Sequence, residues 1–351
     1  MAMMRQANLV GPRDIRIEEA EKPEVDENTV IVKIESLGIC GSNLHLWGGH
    51  GSANALMMYP MPGALGHEHA GVVDEVGSHV TRVKPGDRVA IDAFQSKGCG
   101  ACVYCGSGMF GQCESPKFFG MGGYAEYLKL TEKGLYHLPA NVKTEVAAVV
   151  EPFACSVSGI RRAGGVAGGT VVVLGAGVLG LSAAGTAKAL GAEKVILTAK
   201  HDSQAALAER FGADVVVRSN EEDLVQRIIA ETGGRGADLV VETVGGAAPT
   251  LSQALEIVRT GCKIVVLGLW DDLVPVDSWR SVLKDVTYIF SLTYGMTGKK
   301  ADFELCIEWM ANGKVPAQDL VTHVMPLDDI QAAFELASDK TKGVVKVCLK
   351  P

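Results

Sequence analysis

Cys99, Cys102, Cys105 and Cys113 follow one another as C-x2-C-x2-C-x7-C in the stretch GCGACVYCGSGMFGQC (98–113). Spacings this short let one loop wrap an ion with four thiolates, and the glycines between them give the backbone the freedom to do so. A zinc held by four sulfurs has no open position, so it would be structural. An iron–sulfur cluster is the chemical rival, and four buried free thiols are the bland alternative; zinc is the preferred reading. The chain has nine cysteines and a start, MAMMRQANLVGPRD, that turns polar too early for a signal peptide. Metal therefore explains the cluster better than disulfides do.

A second set is dispersed. Cys40 stands in GICGSNLHLWGG, His67 and Glu68 in LGHEHAG, and Glu151 in VVEPFACS. Each alone has an ordinary reading as a small core residue, a satisfied buried imidazole or a helix-start acid. Together they offer one sulfur, one nitrogen and one or two oxygens. That mix, with a position left for water, suits a catalytic zinc.

The stretch TVVVLGAGVLGLSAAGTAKALGA (170–192) spaces Gly175, Gly177 and Gly180 as G-x-G-x-x-G between a strand and a helix. Gly175 allows the tight turn, Gly177 lets the backbone approach a pyrophosphate, and Gly180 lets helix and strand pack closely. The helix N-terminus supplies N–H donors and a positive dipole for the phosphates. The next strand, KVILT (194–198), should end in an acid that holds the adenosine ribose, but it ends in Ala199, followed by Lys200 and His201. An acid at 199 would repel a 2′-phosphate; alanine removes that repulsion and Lys200 offers a cation. Asp202 could replace the missing acid, yet it precedes the run QAALAERFG and reads as an N-cap. The alternative for Lys200 is a solvated surface lysine. The balance favours NADP over NAD.

These residues need elements to hold them. The first 150 residues read as β-rich, with runs such as 29–34, 70–76 and 88–91 separated by Gly, Pro, Asp and Asn. From Thr170 onward, apolar strands at 170–175, 194–198, 214–217, 238–244, 263–269 and 287–292 alternate with helical patterns, among them 181–192 and 249–261. Continuous apolar strands joined by amphipathic helices indicate a parallel sheet covered on both faces. The last residues hold two more helical patterns, 303–313 and 327–337, and a strand at 344–350. The fold class is therefore α/β, with a β-rich domain and a doubly wound parallel-sheet domain. The length of 351 residues suits two domains. A net charge of −8 argues against a nucleic-acid or anionic-membrane partner, and no apolar run approaches a membrane span. A cytoplasmic protein is expected.

The motifs G-x-C-G-S-x-L-H, G-H-E-x-A-G, P-G-D-R-V, the four-cysteine loop, E-P and G-A-G-V-L-G occur in the order found in the zinc-dependent medium-chain dehydrogenases/reductases, and the chain resembles that family over nearly its whole length. The nearest branch by resemblance is that of sorbitol, threonine and butanediol dehydrogenases. The resemblance implies a GroES-like catalytic domain (1–153), a Rossmann domain (154–292) and a C-terminal segment (293–351) returning to the first, with the active site in the cleft between domains and a dimer or tetramer as the assembly. It implies two zinc ions per chain. Cys40 and His67 would ligate the catalytic one, with Glu68 and Glu151 alternating with water as oxygen ligands, and the four cysteines would hold the structural one. Ser42 would take the proton of a secondary alcohol, with His45 at the outer end of a relay to solvent. Cofactor contacts would come from Gly175, Gly177, Val178, Leu179, Gly180, Ala199, Lys200, Leu267, Gly268, Leu269 and Leu292. The expected activity is hydride transfer between a secondary alcohol, or its ketone, and NADP. An NAD-linked polyol or threonine-type dehydrogenase is the alternative, and a non-catalytic protein on the same fold is a further one.

Three departures from the family pattern stand out. Asn43 occupies a position where an Asp that orients the zinc-binding histidine is usual, and it is expected to accept a hydrogen bond without the charge. Ala199 with Lys200 is the second. The third is FSLTYG (290–295), where Thr293 beside Tyr294 replaces an Arg of polyol dehydrogenases. Trp47, Phe94, Phe118 and Phe119 fall where cleft-lining residues would lie, which points to a less polar alcohol, with ordinary core packing as the alternative.

Overall fold

The computed structural model describes residues 2–49, 61–117, 123–220, 222–270 and 272–351. Phe118 and Phe119 lie outside them. The chain forms two compact units. One comprises residues 1–151, 298–311 and 321–351, the other 152–297 and 312–320.

The first unit is built on a seven-stranded sheet. Six strands follow in the order Val321–Pro326, Lys346–Lys350, Val30–Gly38, Glu68–Val76, Arg88–Ile91 and Leu135–His137, and Tyr127–Leu130 also pairs with Val30–Gly38. The Val30–Gly38 strand (VIVKIESLG) is β-branched and buried on both faces along most of its length, which is why it can carry partners all round. It pairs antiparallel with Glu68–Val76, setting Gly38 opposite Glu68. Its core includes Leu9, Leu37, Ile91 and Leu135, with Tyr124 edge-on to Phe334 at 5.5 Å between ring centroids. Trp47 belongs to this same core: it is buried, packs on Phe334, and lies under the Arg13 guanidinium at 4.5 Å. Its expected place as a cleft-lining aromatic is therefore corrected. Phe94 is half-buried.

The second unit holds six strands, β1 (Thr170–Leu174), β2 (Lys194–Ala199), β3 (Val215–Arg218), β4 (Ala237–Glu242), β5 (Val258–Val266) and β6 (Thr287–Phe290). All pair in parallel in the order β3-β2-β1-β4-β5-β6. Helix α1 (Val178–Ala189) follows β1 and α2 (Asp202–Arg210) follows β2. A small-residue run, Gly180 to Ala187, is buried along α1, which lets the helix sit close to the sheet. The helical pattern at 249–261 is shorter than the spacing predicts: the helix runs Thr250–Ile257, and β5 begins at Val258. The β-branched Val258 pairs there with Ala237, and the ladder shifts before Leu239 meets Lys263.

Candidate metal and cofactor sites

Backbone geometry delivers the dispersed set. The Val30–Gly38 strand runs on to Cys40, which is extended (φ −80°, ψ 151°) just before the helix Gly41–Gly48. Across the ladder, Glu68 opens the strand Glu68–Val76 and His67 immediately precedes it. Residue 38 has to be glycine, because a Cβ there would fall on the Glu68 carboxylate. Donor atoms of Cys40, His67 and Glu68 lie within 4.8 Å of one another. Glu151, in the first turn of the helix Val150–Arg162, is buried but is not part of that mutually close group.

The charges of the group are coupled. Burial alone would raise the Cys40 thiol, but the neighbouring His67 outweighs it and holds Cys40 below its ordinary value. Burial would likewise lower His67; the Cys40 thiolate, its hydrogen bond and the two glutamates instead push it up to about 10. Burial pushes Glu151 up to about 8, opposed by His67. A thiolate–imidazolium pair beside buried acids is a cluster with the right atoms for a cation, and the sulfur, nitrogen and oxygen donors fit zinc.

One partner of this cluster escaped the sequence reading. Lys346 is fully buried, and its Nζ donates to both Glu68 oxygens at 2.6 Å and to the Ile39 carbonyl at 2.9 Å. Burial disfavours its charge, but Glu68 and Cys40 keep it raised. The available signal was a lysine in the otherwise apolar run Val344–Leu349. Buried lysines are almost always paired.

Ser42, half-buried, donates its hydroxyl to Cys40 Sγ at 3.3 Å. His45 follows one turn later on the same helix, so both share a face. Asn43 accepts a hydrogen bond without the charge, but from Tyr124 and not from His67. Its Oδ1 accepts from the Tyr124 hydroxyl, its Nδ2 donates to the carbonyls of Ala64 and Leu65, and His67 Nδ1 instead contacts the Leu65 carbonyl at 2.9 Å.

The four-cysteine loop closes on itself. Its sulfurs lie within 4.8 Å of one another, with Cys99 and Cys105 4.0 Å apart. Zn–S bonds of about 2.3 Å imply S···S edges of about 3.8 Å in a tetrahedron, so the fit is close. Backbone N–H groups of Cys99, Ala101, Cys102 and Cys105 donate to these sulfurs. The N–H groups of Cys105 and Glu114 bring Cys102 down to about 6, whereas burial pushes Cys105 up to about 12. A metal cation is what would ionise all four together.

The glycine turn has the shape of a phosphate cradle. Gly175 has φ +107°, and a Cβ at Gly180 would fall on the Gly175 carbonyl, while Gly177 faces open space. No side chain caps α1, so its first N–H groups, at Val178 and Leu179, remain for a ligand. Leu267, Gly268 and Leu269 follow β5 and Leu292 follows β6, so all lie past the carboxyl ends of parallel strands, where open α/β sheets bind ligands.

At the end of β2, Ala199 is buried and Lys200 exposed. Asp202 is not the N-cap that its place before QAALAERFG predicts. His201 takes that position, and the Asp202 carboxylate pairs with the guanidinium of Arg218, which the β2–β3 register sets beside Ala199. Arg218 is a cation the sequence reading missed; only the strand pairing brings residues 199 and 218 together.

Comparison with known proteins follows the same division. The sequence-family model of the alcohol dehydrogenase GroES-like domain matches residues 26–140, and that of the zinc-binding dehydrogenases matches residues 178–312. The chain is 32% identical over 355 residues to the L-threonine 3-dehydrogenase of Bacillus velezensis, covering 100% of this chain and 98% of that protein. It is 31% identical over 355 residues to the sorbitol dehydrogenase of Bacillus subtilis, covering 99% and 97%. The crystal structure of a putative zinc-binding dehydrogenase from Sinorhizobium meliloti 1021 bound to NADP superposes with a TM-score of 0.86 at 28% identity, covering 100% of each chain.

Proposed function

We propose, on the premise that the chain belongs to the zinc-type medium-chain dehydrogenases of the alcohol dehydrogenase superfamily, that it transfers a hydride between a secondary alcohol or its ketone and NADP. The observation that carries the zinc part of this reading is the convergence of Cys40, His67 and Glu68 within 4.8 Å. That group, with Glu151 as a further oxygen donor, is the proposed catalytic zinc site, and Cys99, Cys102, Cys105 and Cys113 the structural one. When bound, zinc supplies Lewis acidity and the nicotinamide a hydride acceptor.

The chain's own residues do the rest. Ser42 would accept the alcohol proton at its hydroxyl oxygen while giving up its own hydroxyl proton, which His45 would pass outward. The Lys346 ammonium, bonded to both Glu68 oxygens, holds that carboxylate to one side, which keeps a position beside Cys40 and His67 for substrate oxygen. Gly175, Gly177 and the α1 N-terminus hold the pyrophosphate. Lys200 and Arg218 supply the cations for a 2′-phosphate, with Asp202 as the counter-ion that keeps Arg218 in place when the phosphate is absent.

An NAD-linked polyol or threonine-type activity is the second reading. The names of the two relatives and the exposed Asp202, an acid one residue into α2, favour it. With Trp47 in the core, the case for an apolar alcohol rests on Phe94 and on Thr293 beside Tyr294.

A homo-oligomer is supported by β6, which is an edge of its sheet and bears an exposed Phe290, and by the exposed Trp279, Val282 and Leu283 of the helix Ser278–Leu283. Among the described residues no helix is long and apolar enough to cross a membrane. Nine free cysteines fit a reducing compartment such as the cytoplasm.

The test is a set of initial rates on polyols, diols, threonine and apolar secondary alcohols, each with NAD and NADP. Faster turnover with NADP on the apolar members is expected. Faster turnover with NAD on polyols or threonine would replace this reading with the second.

A further inference from the structure

We propose that Asn43 is a positioning residue for His67, acting through the backbone of Ala64 and Leu65, and that the role requires a neutral amide. The proposal rests on the reading of Cys40, His67 and Glu68 as a zinc site.

The observations form a chain of contacts. Gly63, Ala64 and Leu65 all have positive φ, at 68°, 47° and 53°. Non-glycine residues avoid this left-handed region at a cost of about 1–2 kcal/mol each, so two in succession must be held by their surroundings. Asn43, itself buried, does so: its Nδ2 carries two hydrogens, and the carbonyl oxygens of Ala64 and Leu65 both lie 3.1 Å from it. Its Oδ1 accepts from the Tyr124 hydroxyl at 3.0 Å, and the same hydroxyl lies 3.2 Å from the Gly38 carbonyl. The two carbonyl acceptors fix which way the amide faces, because only the NH2 end can donate to them. The Leu65 carbonyl then accepts from His67 Nδ1 at 2.9 Å, which leaves Nε2 for the group with Cys40 and Glu68. Asn43 is thus one backbone atom removed from the imidazole.

The chemistry of position 43 follows. An aspartate has no hydrogen to donate and would set its charge against two carbonyl oxygens. The carbonyl of Leu65 would turn, and with it the contact that orients the Nδ1 side of the imidazole. The Leu65 side chain is exposed, so Leu65→Gly relaxes the backbone strain and removes little core packing.

The experiment uses full-length, zinc-loaded protein and a chromogenic chelator that reports the affinity of each zinc, with the thermal midpoint measured alongside. Asn43→Asp and Asn43→Ala are expected to weaken one zinc by about 10–100-fold, the range for lost outer-shell partners, and to leave the four-cysteine zinc unchanged. Adding Leu65→Gly to Asn43→Ala should recover part of that affinity, which a merely structural role for Asn43 would not produce. If Asn43→Asp does not fold, Tyr124→Phe reads the same contact and should weaken the same zinc by a smaller factor. Wild-type affinity in the Asn43 variants, or no recovery with Leu65→Gly, overturns the positioning role. His67→Ala separates the two levels: a zinc count equal to wild type in that variant overturns the metal reading, and the positioning role with it.

Discussion

The two proposed metal centres are built on opposite plans. The four-cysteine loop takes all its donors from residues 99–113, is held by N–H groups of the same loop, and lies mostly at partial exposure. The Cys40, His67 and Glu68 group draws on two adjacent strands and on Lys346, whose sequence distance from Glu68 is 278 residues. Its Glu68 and Lys346 are buried while Cys40 and His67 are half-buried, and its members set one another's charge. A self-contained loop can close around an ion wherever it sits. A dispersed group needs the fold first, and in return its charges can be tuned from several directions at once. The first plan suits an ion that fastens the chain, the second an ion that works on a substrate.

The largest effects should come from breaking each centre in turn. Cys102→Ser should remove the loop's zinc and lower the thermal midpoint more than any other single change, because structural zinc contributes about 10 kcal/mol or more in small zinc-folded peptides. Cys40→Ser should leave the midpoint nearly intact and lower kcat by about a thousand-fold or more, since several kcal/mol of Lewis-acid stabilisation would go. Differential scanning calorimetry and initial rates check both. A Cys40→Ser protein that unfolds as readily as Cys102→Ser would erase the distinction between the centres.

Lys346→Met tests the buried side of the comparison. It leaves the buried Glu68 carboxyl group without its partner, and breaking a buried pair in this way costs about 3–5 kcal/mol. Denaturant titration should show the loss, and Lys346→Met/Glu68→Leu should recover much of it. Failure of the double variant to recover stability would mean that Lys346 acts through something other than Glu68.

The cofactor end repeats the dispersed plan in miniature. Arg218→Ala and Lys200→Ala should each raise KM for NADP by about ten-fold or more, the worth of one charge-assisted contact, with little change for NAD. Equal effects on both cofactors would mean that the two cations do not meet the 2′-phosphate.

The effect that is smallest near neutral pH, and grows only in acid, is a pH slope. His69 is buried, its Nε2 donates to the Gly123 carbonyl, and Nδ1 has no partner among the described residues. Burial first, and the charge on His67 second, hold its pKa down to about 3. In the unfolded chain it returns to about 6.5. Between these values the unfolded state binds the extra proton, so stability rises with pH and is lost as pH falls from about 6.5 toward 3. His69→Gln should flatten that part of the stability profile in acid unfolding curves. An unchanged slope would assign acid loss to other groups.

What the sequence could disclose follows the same divide. Cysteine spacing within one loop is a local property, so the thiolate cluster was legible as such. The glycine turn was legible because each glycine answers to a backbone need nearby, and the strands of the parallel sheet were legible because they are apolar on both faces. The helix end at Ile257 was not, since the pairing of Val258 with Ala237 is a tertiary contact that overrode a helical pattern. Lys346, Arg218 and the Asn43 contacts were hidden for the same reason: each owes its role to a residue on another strand or loop. Asp202 was misread because a guanidinium across the sheet competes with the helix N-terminus for its carboxylate. Trp47 was misread because an aromatic on a short helix gives no sign of which side the core lies on.

The most direct test of the central claim is the zinc content per chain by mass spectrometry and elemental analysis, on wild type, Cys40→Ser and Cys102→Ser. Wild type should carry two zinc ions, matching the two donor groups, and each variant one, with activity absent from Cys40→Ser. One zinc in wild type, lost only with Cys102→Ser, would contradict it.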